Sequence, residues 1–393
     1  MIDGKQGRRQ ELPVASLIDC IALSLVPGLG VTSYWRLLDH FGTPERILAA
    51  REGELRRVAG LGRRHFAGLL SGCDYRLQAH EELLRLGKMG GFAISSDDDD
   101  YPALLRHLPD PPPVLYGLGR RELLGTPAVA VVGSRAATGY GRKVAFVMGE
   151  QLARGSLTVV SGLALGIDAQ AHAGALRAGG DTVAVLGCGL DIVYPQLNRA
   201  LFETLRIRGL LLSEYPLGTK PEGFRFPARN RLIAAMCQGV VVVEAARRSG
   251  SLITAQIALD LGREVFAVPG PIDSHKSEGT HWLLKQGASL ARDVDDIIAE
   301  LRGFGTLKVA RADSRSAPAE PALDPEATRL LGLLDTSGEE RETLLSVSGL
   351  SPARCNELLL VLELEGLVEL LPGDRVCRVA GSLADGQRHS GKG

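Results

Sequence analysis

Net charge is almost missing from this chain: among its 393 residues, 45 Lys and Arg stand against 46 Asp and Glu, giving a formal charge of -1. With a pI of about 6.7, no global basic field draws in nucleic acid, so any phosphate binding must come from a local cluster. Cysteine is sparse. Cys20, Cys73, Cys188, Cys237, Cys355 and Cys377 are scattered singly without C-x-x-C spacing, which reads as reduced core thiols and argues against a zinc site. No apolar run reaches membrane-spanning length, and the first residues, with Lys5, Arg8, Arg9 and Glu11, lack a secretory apolar segment. A membrane partner is therefore not expected, and the cytoplasm is the default location. The acidic run Asp97–Asp100 lacks the histidine or further acidic spacing of a metal site, and no metal or cofactor is expected. Also missing is the dinucleotide fingerprint Gly-x-Gly-x-x-Gly: the relevant glycines fall at Gly133, Gly139 and Gly141, which weakens a nicotinamide reading.

What is present is a globular composition, 45% hydrophobic and 23% charged, in a chain long enough for two or three domains of ~150 residues. Val129-Ala-Val-Val132 runs into Gly133-Ser134-Arg135, and a helical pattern follows from Tyr140 to Ala153. That is strand, tight turn, helix. At the carboxyl end of a parallel strand, backbone N–H groups, the Ser134 hydroxyl and the Arg135 fork suit phosphate oxygens. The loop alone supports equally a turn with Arg135 merely solvated.

Further strands are expected at 157–161, 182–186, 210–213, 240–244 and 265–268, with helices at 167–178, 198–206, 229–237 and 252–261. Near-continuous apolar strands alternating with helices predict an α/β, Rossmann-like parallel sheet over 128–302. Before it, residues 1–15 read as disordered, 16–90 as a helical domain and 91–127 as a proline-dense extended connection. The helical domain contains a repeat, Val26-Pro-Gly-Leu-Gly30 and Val58-Ala-Gly-Leu-Gly62, each resembling the turn of a helix-hairpin-helix unit. A small helical bundle using these turns for packing or partner contact is at least an equal reading. After the core, 303–325 reads as a linker, 326–381 as a winged helix and 382–393 as a disordered tail. The would-be recognition helix, 352–365, carries Glu357, Glu363 and Glu365 against Arg354, which favours protein contact over DNA.

The densest functional signal is Lys220–Arg231, where Lys220, Arg225, Arg229 and Arg231 face only Glu222. Phe224 and Phe226 are interleaved with them, as single-strand binders need for base stacking. The plainer alternative makes Phe226-Pro227 core and Arg229–Arg231 a salt-bridged helix start. Asp168 and His172, four apart on one helical face, could form an acid–base pair, but without a nucleophile a hydrogen-bonded pair that shapes the loop is favoured. Ser249-Gly250-Ser251 either caps a helix or binds an anion.

These segments together resemble the DNA-processing protein A family (DprA, also called Smf), the single-strand DNA binder of bacterial natural transformation. The likeness runs through Tyr101-Pro102, Gly133-Ser134-Arg135, Gly166-Ile167-Asp168, Tyr194-Pro195, Phe226-Pro227, Arg229-Asn230-Arg231, Ser249-Gly250-Ser251 and Val268-Pro269-Gly270. It implies a Rossmann-like core that dimerises, binds single-stranded DNA and loads a RecA-type recombinase while displacing single-strand-binding protein. It also implies a sterile-alpha-motif-like (SAM-like) N-terminal domain and a C-terminal winged helix. The implied DNA-binding set is Gly133, Ser134, Arg135, Gly162, Lys220, Phe224, Phe226, Arg229, Asn230, Arg231 and Ser251, with no catalytic residue. His281 stands where the family usually has asparagine. A nucleotide phosphoribohydrolase of the lysine-decarboxylase-like family is the enzymatic rival. Its Pro-Gly-Gly-x-Gly-Thr-x-x-Glu stretch has no counterpart in Val243–Ser251.

Overall fold

The computed structural model describes residues 16–303, 324–335, 338–364, 367–371 and 374–378; the expected disordered ends at 1–15 and 382–393, and nearly all of the 303–325 linker, lie outside them. Apolar β-formers build one nine-stranded sheet: β1 (Gly91–Ser95), β2 (Val114–Gly119), β3 (Ala128–Val132), β4 (Thr158–Ser161), β5 (Thr182–Leu186), β6 (Leu210–Ser213), β7 (Gly239–Val242), β8 (Glu264–Ala267) and β9 (Ser289–Leu290). Their order is β1-β2-β6-β5-β4-β3-β7-β8-β9. From β6 to β9 every pairing is parallel. Helices Gly139–Arg154 and Ile167–Arg177 cover one face and Arg225–Met236 and Gly250–Asp260 the other, with β3, β4, β5 and β7 wholly buried between them.

The chain winds one way from β3 through β6, then returns to the other side of β3 to lay down β7. The switch point therefore falls at the carboxyl ends of β3 and β7, where an open α/β sheet forms its crevice.

Two expectations for the first third of the chain are corrected. The 91–127 segment is not merely an extended connection, because β2 pairs antiparallel with β6 and β1 pairs antiparallel with β2. Its prolines lie before β2 or, at Pro127, after it, so none interrupts a strand, and Tyr101, 1% exposed, donates its hydroxyl to Pro112 O at 2.9 Å. Nor do the helices of 16–90 form a separate core. Leu23, Leu37, Leu55 and Leu86 share one apolar cluster with Tyr116, Leu186 and Leu211 of the sheet, so burial merges the two.

The described residues of the second compact unit start at Asp324. Asp324 caps Pro325–Gly332, and helices Arg341–Ser348 and Pro352–Leu364 follow, with a three-stranded sheet of β10 (Glu339–Glu340), β12 (Arg375–Arg378) and β11 (Val368–Leu371). Leu330, Leu344, Cys355, Leu358 and Val376 form its core. This is the expected winged helix with one added short strand.

Candidate nucleic-acid interface

The turn after β3 is locked before any ligand arrives. Ser134 N donates to Glu244 O at 2.7 Å, and Ile167 N donates to Ser134 O at 3.2 Å. A Cβ on Gly133 would lie 2.6 Å from Ile167 Cγ1 and 2.9 Å from Glu244 O, so only glycine lets these three loops converge. Thr138 caps the Gly139–Arg154 helix by accepting Gly141 N at 3.0 Å, and its hydroxyl donates to Glu244 Oε2 at 2.5 Å. Glu244 thus ties the loops after β3 and β7 together.

Two cavities open beside this turn, and Arg135 borders both. The larger, about 430 Å³, is lined by Gly133, Ser134, Asn230, Arg248 and Ser251 among others. The smaller, about 70 Å³, lies between Gly162, Leu165, Gly187, Tyr194 and Phe226. No carboxylate among the described residues ion-pairs with Arg135. Its guanidinium carbon instead lies 5.0 Å from the Phe226 ring centroid, and Phe226 stacks on Tyr194 at 5.4 Å with 23° between planes. A cation and two rings are layered at the mouth.

The expected set divides here. Gly133, Ser134, Arg135, Gly162, Phe226, Arg229, Asn230 and Ser251 converge on the cavities. Lys220, Phe224 and Arg231 line neither. Phe224 is 67% exposed, with the Arg225 guanidinium 5.1 Å from its ring, and Lys220 lies exposed on the same loop. Arg231 is a latch: it pairs with Glu214 at 2.5 Å and donates to Asp110 O at 3.0 Å.

Arg229 borders the cavities but is not part of a free electropositive wall. It is 4% exposed and donates to Gly162 O at 2.7 Å and to Val185 O, and burial lowers its pKa to about 10. Asp168 accepts Gly162 N at 3.1 Å; burial pushes its carboxyl up while Arg229 pulls it down. His172 is bonded to Thr182 Oγ1 at 2.7 Å, not to Asp168. Both belong to the scaffold, but the expected hydrogen-bonded pair does not form: Asp168 alone holds the loop at Gly162, and His172 bonds Thr182 of the neighbouring strand.

Other sequence expectations also resolve. Helix Arg225–Met236 begins a turn earlier than expected, because Pro227 sits in the first turn, where an N–H has no helical partner to lose. Ser249 does cap Gly250–Asp260, accepting Ser251 N at 3.3 Å, while both serines line the larger cavity. His281 Nε2 donates to Gly270 O at 3.0 Å. Cys73 is exposed, unlike the other five cysteines. The sequence reading missed Arg248 and Tyr194 as lining residues; Arg248 stands beside Ser249, and Tyr194 was visible only within the Tyr194-Pro195 motif. Among the described residues no His, Cys, Asp and Glu cluster could hold a metal, and no helix is long and apolar enough to cross a membrane.

The family model for DNA recombination-mediator protein A matches residues 92–302, and that for the DprA winged helix domain matches 314–374. The chain belongs to the DNA recombination-mediator protein A (DprA) family. Protein Smf of Synechocystis is 36% identical over 389 residues, covering 91% of this chain and 98% of that protein. DNA processing protein DprA of Streptococcus pneumoniae is 48% identical over 206 residues, 52% of this chain and 72% of that one. The X-ray structure of the pneumococcal DprA aligns with a TM-score of 0.65 at 37% identity, covering 73% of this chain and 98% of that one. A DprA structure from Helicobacter pylori, described as showing a single-stranded DNA binding mode, aligns with a TM-score of 0.50 at 32% identity, covering 55% and 96%.

Proposed function

We propose that this chain binds single-stranded DNA at the β3–β7 crevice, protects incoming strands and loads a RecA-type recombinase onto them during natural transformation. One observation carries the binding step: Arg135, without a carboxylate partner among the described residues, borders two cavities and lies over Phe226, which is itself stacked on Tyr194. A cation for the backbone beside rings for the bases is the arrangement a sequence-tolerant single-strand site requires. Arg248, Ser134 and Ser251 extend the anion-binding side. The Helicobacter pylori relative's description supports the same ligand. A homodimer through the Rossmann-like domain would align two such sites along one strand and raise apparent affinity by multivalency. The cytoplasm is the proposed location.

The site is read as non-enzymatic: Asp168, the carboxylate that lines the larger cavity, is held by Gly162 N, and Glu244 and His172 behind it hold backbone or hydroxyl partners. In the winged helix, Arg354 is ion-paired to Asp324, Glu326 and Glu357, which supports a protein partner for that unit rather than DNA. The test is a salt series with fluorescent oligo-dT on the parent and on Arg135→Ala. Binding whose log-log salt slope is about −0.7 per phosphate contacted, weakened about tenfold or more in the variant, supports the reading. Equal affinity in a folded variant sinks the site assignment, and release of free base from nucleoside monophosphates would move the chain to the phosphoribohydrolase reading.

A further inference from the structure

We propose that the paired glycine turns of the N-terminal helices form a second nucleic-acid site, one that grips the sugar–phosphate backbone of duplex DNA. The repeat read in the sequence is also a repeat in backbone geometry. Gly28 and Gly60 adopt φ +81° and +77°, Leu29 N donates to Val26 O at 3.2 Å and Leu61 N to Val58 O at 3.3 Å. In each turn the second glycine, Gly30 or Gly62, is extended and leads into a helix. The two turns lie side by side. Arg36, on the helix after the first turn, donates to Gly60 O at 3.1 Å; Gly28 of the first turn abuts the Arg64 carbonyl, which a Cβ there would approach to 2.8 Å.

Gly30 and Gly62 are the informative positions. Gly28 and Gly60 need glycine for their positive φ, but Gly30 (φ −79°) and Gly62 (φ −93°) do not. Packing does not demand it either: a Cβ on Gly30 would meet nothing within 4 Å, and one on Gly62 only His65 Nδ1 at 3.8 Å. Ser or Asp would cap the following helices better. At Gly30 glycine leaves bare backbone, which lets another backbone come close; at Gly62 it leaves room beside the chain, with its N–H held by His65 Nδ1 at 3.0 Å.

Charge surrounds these turns. Residues 31–64 hold seven arginines against four carboxylates, a net of +3 in a chain whose total is -1. Arg36, Arg57, Arg63 and Arg64 are exposed, and none is ion-paired among the described residues; Glu52, whose carboxylate also feels Arg63, is held by Arg56 at 2.6 Å. Among described residues 31–66 no Phe, Tyr or Trp is exposed, and the exposed His40 ring packs edge-on against Phe41. Phe66 and Tyr34 are buried, and Trp35 turns inward to donate Nε1–H to Pro111 O at 2.8 Å. Cations and open backbone without an exposed Phe, Tyr or Trp fit phosphates whose bases remain stacked inside a duplex, whereas a single strand is better met by the rings that stand at the crevice.

The test titrates the full chain with a fluorescent duplex and, separately, with oligo-dT across a salt series. The variants are Arg63→Glu/Arg64→Glu, Gly30→Asp and Arg135→Ala. Gly30→Asp keeps an allowed φ and improves the cap, so it reports on the site even if the double variant fails to fold. The expected result is duplex affinity lowered tenfold or more by the first two, with the double variant's salt slope shallower by about 0.9 per lost phosphate contact. Oligo-dT binding by those two and duplex binding by Arg135→Ala should stay within twofold. A parent that does not bind duplex overturns the proposal, as do folded variants that bind it normally. Loss of duplex and oligo-dT binding together in a folded variant also overturns it, because the patch would then be an arm of the crevice. Failure of oligo-dT binding alone would count against the crevice reading and leave this one standing.

Discussion

Acidification from pH 7 to pH 5 should weaken the first compact unit through a single buried imidazole. His172 is fully buried, with Nδ1 2.7 Å from Thr182 Oγ1. The Thr182 hydroxyl already donates to Val159 O at 2.7 Å, so Nδ1 must carry the proton and donate to it. The second ring nitrogen, Nε2, is buried without a partner. Protonating it would bury a charge and an unsatisfied N–H near the Arg229 cation. Burial first and Arg229 second therefore lower the His172 pKa to about 3.

A depressed folded pKa means stability is complete above the unfolded value of about 6.5 and is lost as pH falls toward the folded value, because the unfolded chain then binds the extra proton. Over pH 7 to 5 the shift amounts to about 2 kcal/mol at about 1.4 kcal/mol per unit. Asp168, Glu82 and Glu214, raised by burial, act in the opposite sense, so the imidazole must be isolated by difference. Urea unfolding can be followed by tryptophan fluorescence, since Trp35 and Trp282 both lie in the first unit. The pH 7-to-5 loss in the parent should exceed that in His172→Asn by about 2 kcal/mol. Equal losses in the two proteins would refute the assignment of a neutral, unpartnered ring.

Three further outcomes follow from the same geometry. Phe226→Ala removes the ring beneath Arg135 and should weaken oligo-dT binding by about 1–3 kcal/mol, whereas Phe224→Ala, outside both cavities, should cost much less; fluorescence anisotropy separates them. Gly162→Ala would put a Cβ 2.2 Å from Arg229 Nη1 and should destabilise the unit by about 1–3 kcal/mol in urea, with both cavities disturbed. Glu82 accepts Leu217 N at 2.6 Å while Asp191 accepts Gly218 N at 2.8 Å, and Arg85 lies between the two carboxylates at 3.6 and 3.7 Å. Glu82→Ala should therefore speed amide hydrogen exchange at Leu217 and loosen the loop carrying Lys220 and Phe224; unchanged exchange would show that the network does not hold the loop.

The parallel strands and the crevice were legible because their signals are local. Four-residue apolar runs alternating with amphipathic helices admit few arrangements, and Gly133, Gly162 and Ser249 announce tight turns wherever the strands end. Chain order then puts those turns at one sheet edge. The antiparallel β1 and β2 were not legible: the stretch between them holds Asp97–Asp100 and five prolines, so composition pointed to a connection. Pairing with β6 satisfies the backbone of β2, and pairing with β2 that of β1.

The cations divide the same way. Sequence by itself determined that positive charge and aromatic rings gather between Lys220 and Arg231, and that Arg135 follows the first turn. It could not say which guanidinium stays free. Arg229 and Arg231 look identical to Arg135 in a string of residues, yet one is buried on two carbonyls and the other is latched to Glu214. A side chain's partners come from segments distant in sequence, and its solvation depends on what packs over it. Those two quantities exist only after the chain has folded, and they left Arg135 at the mouth of the crevice.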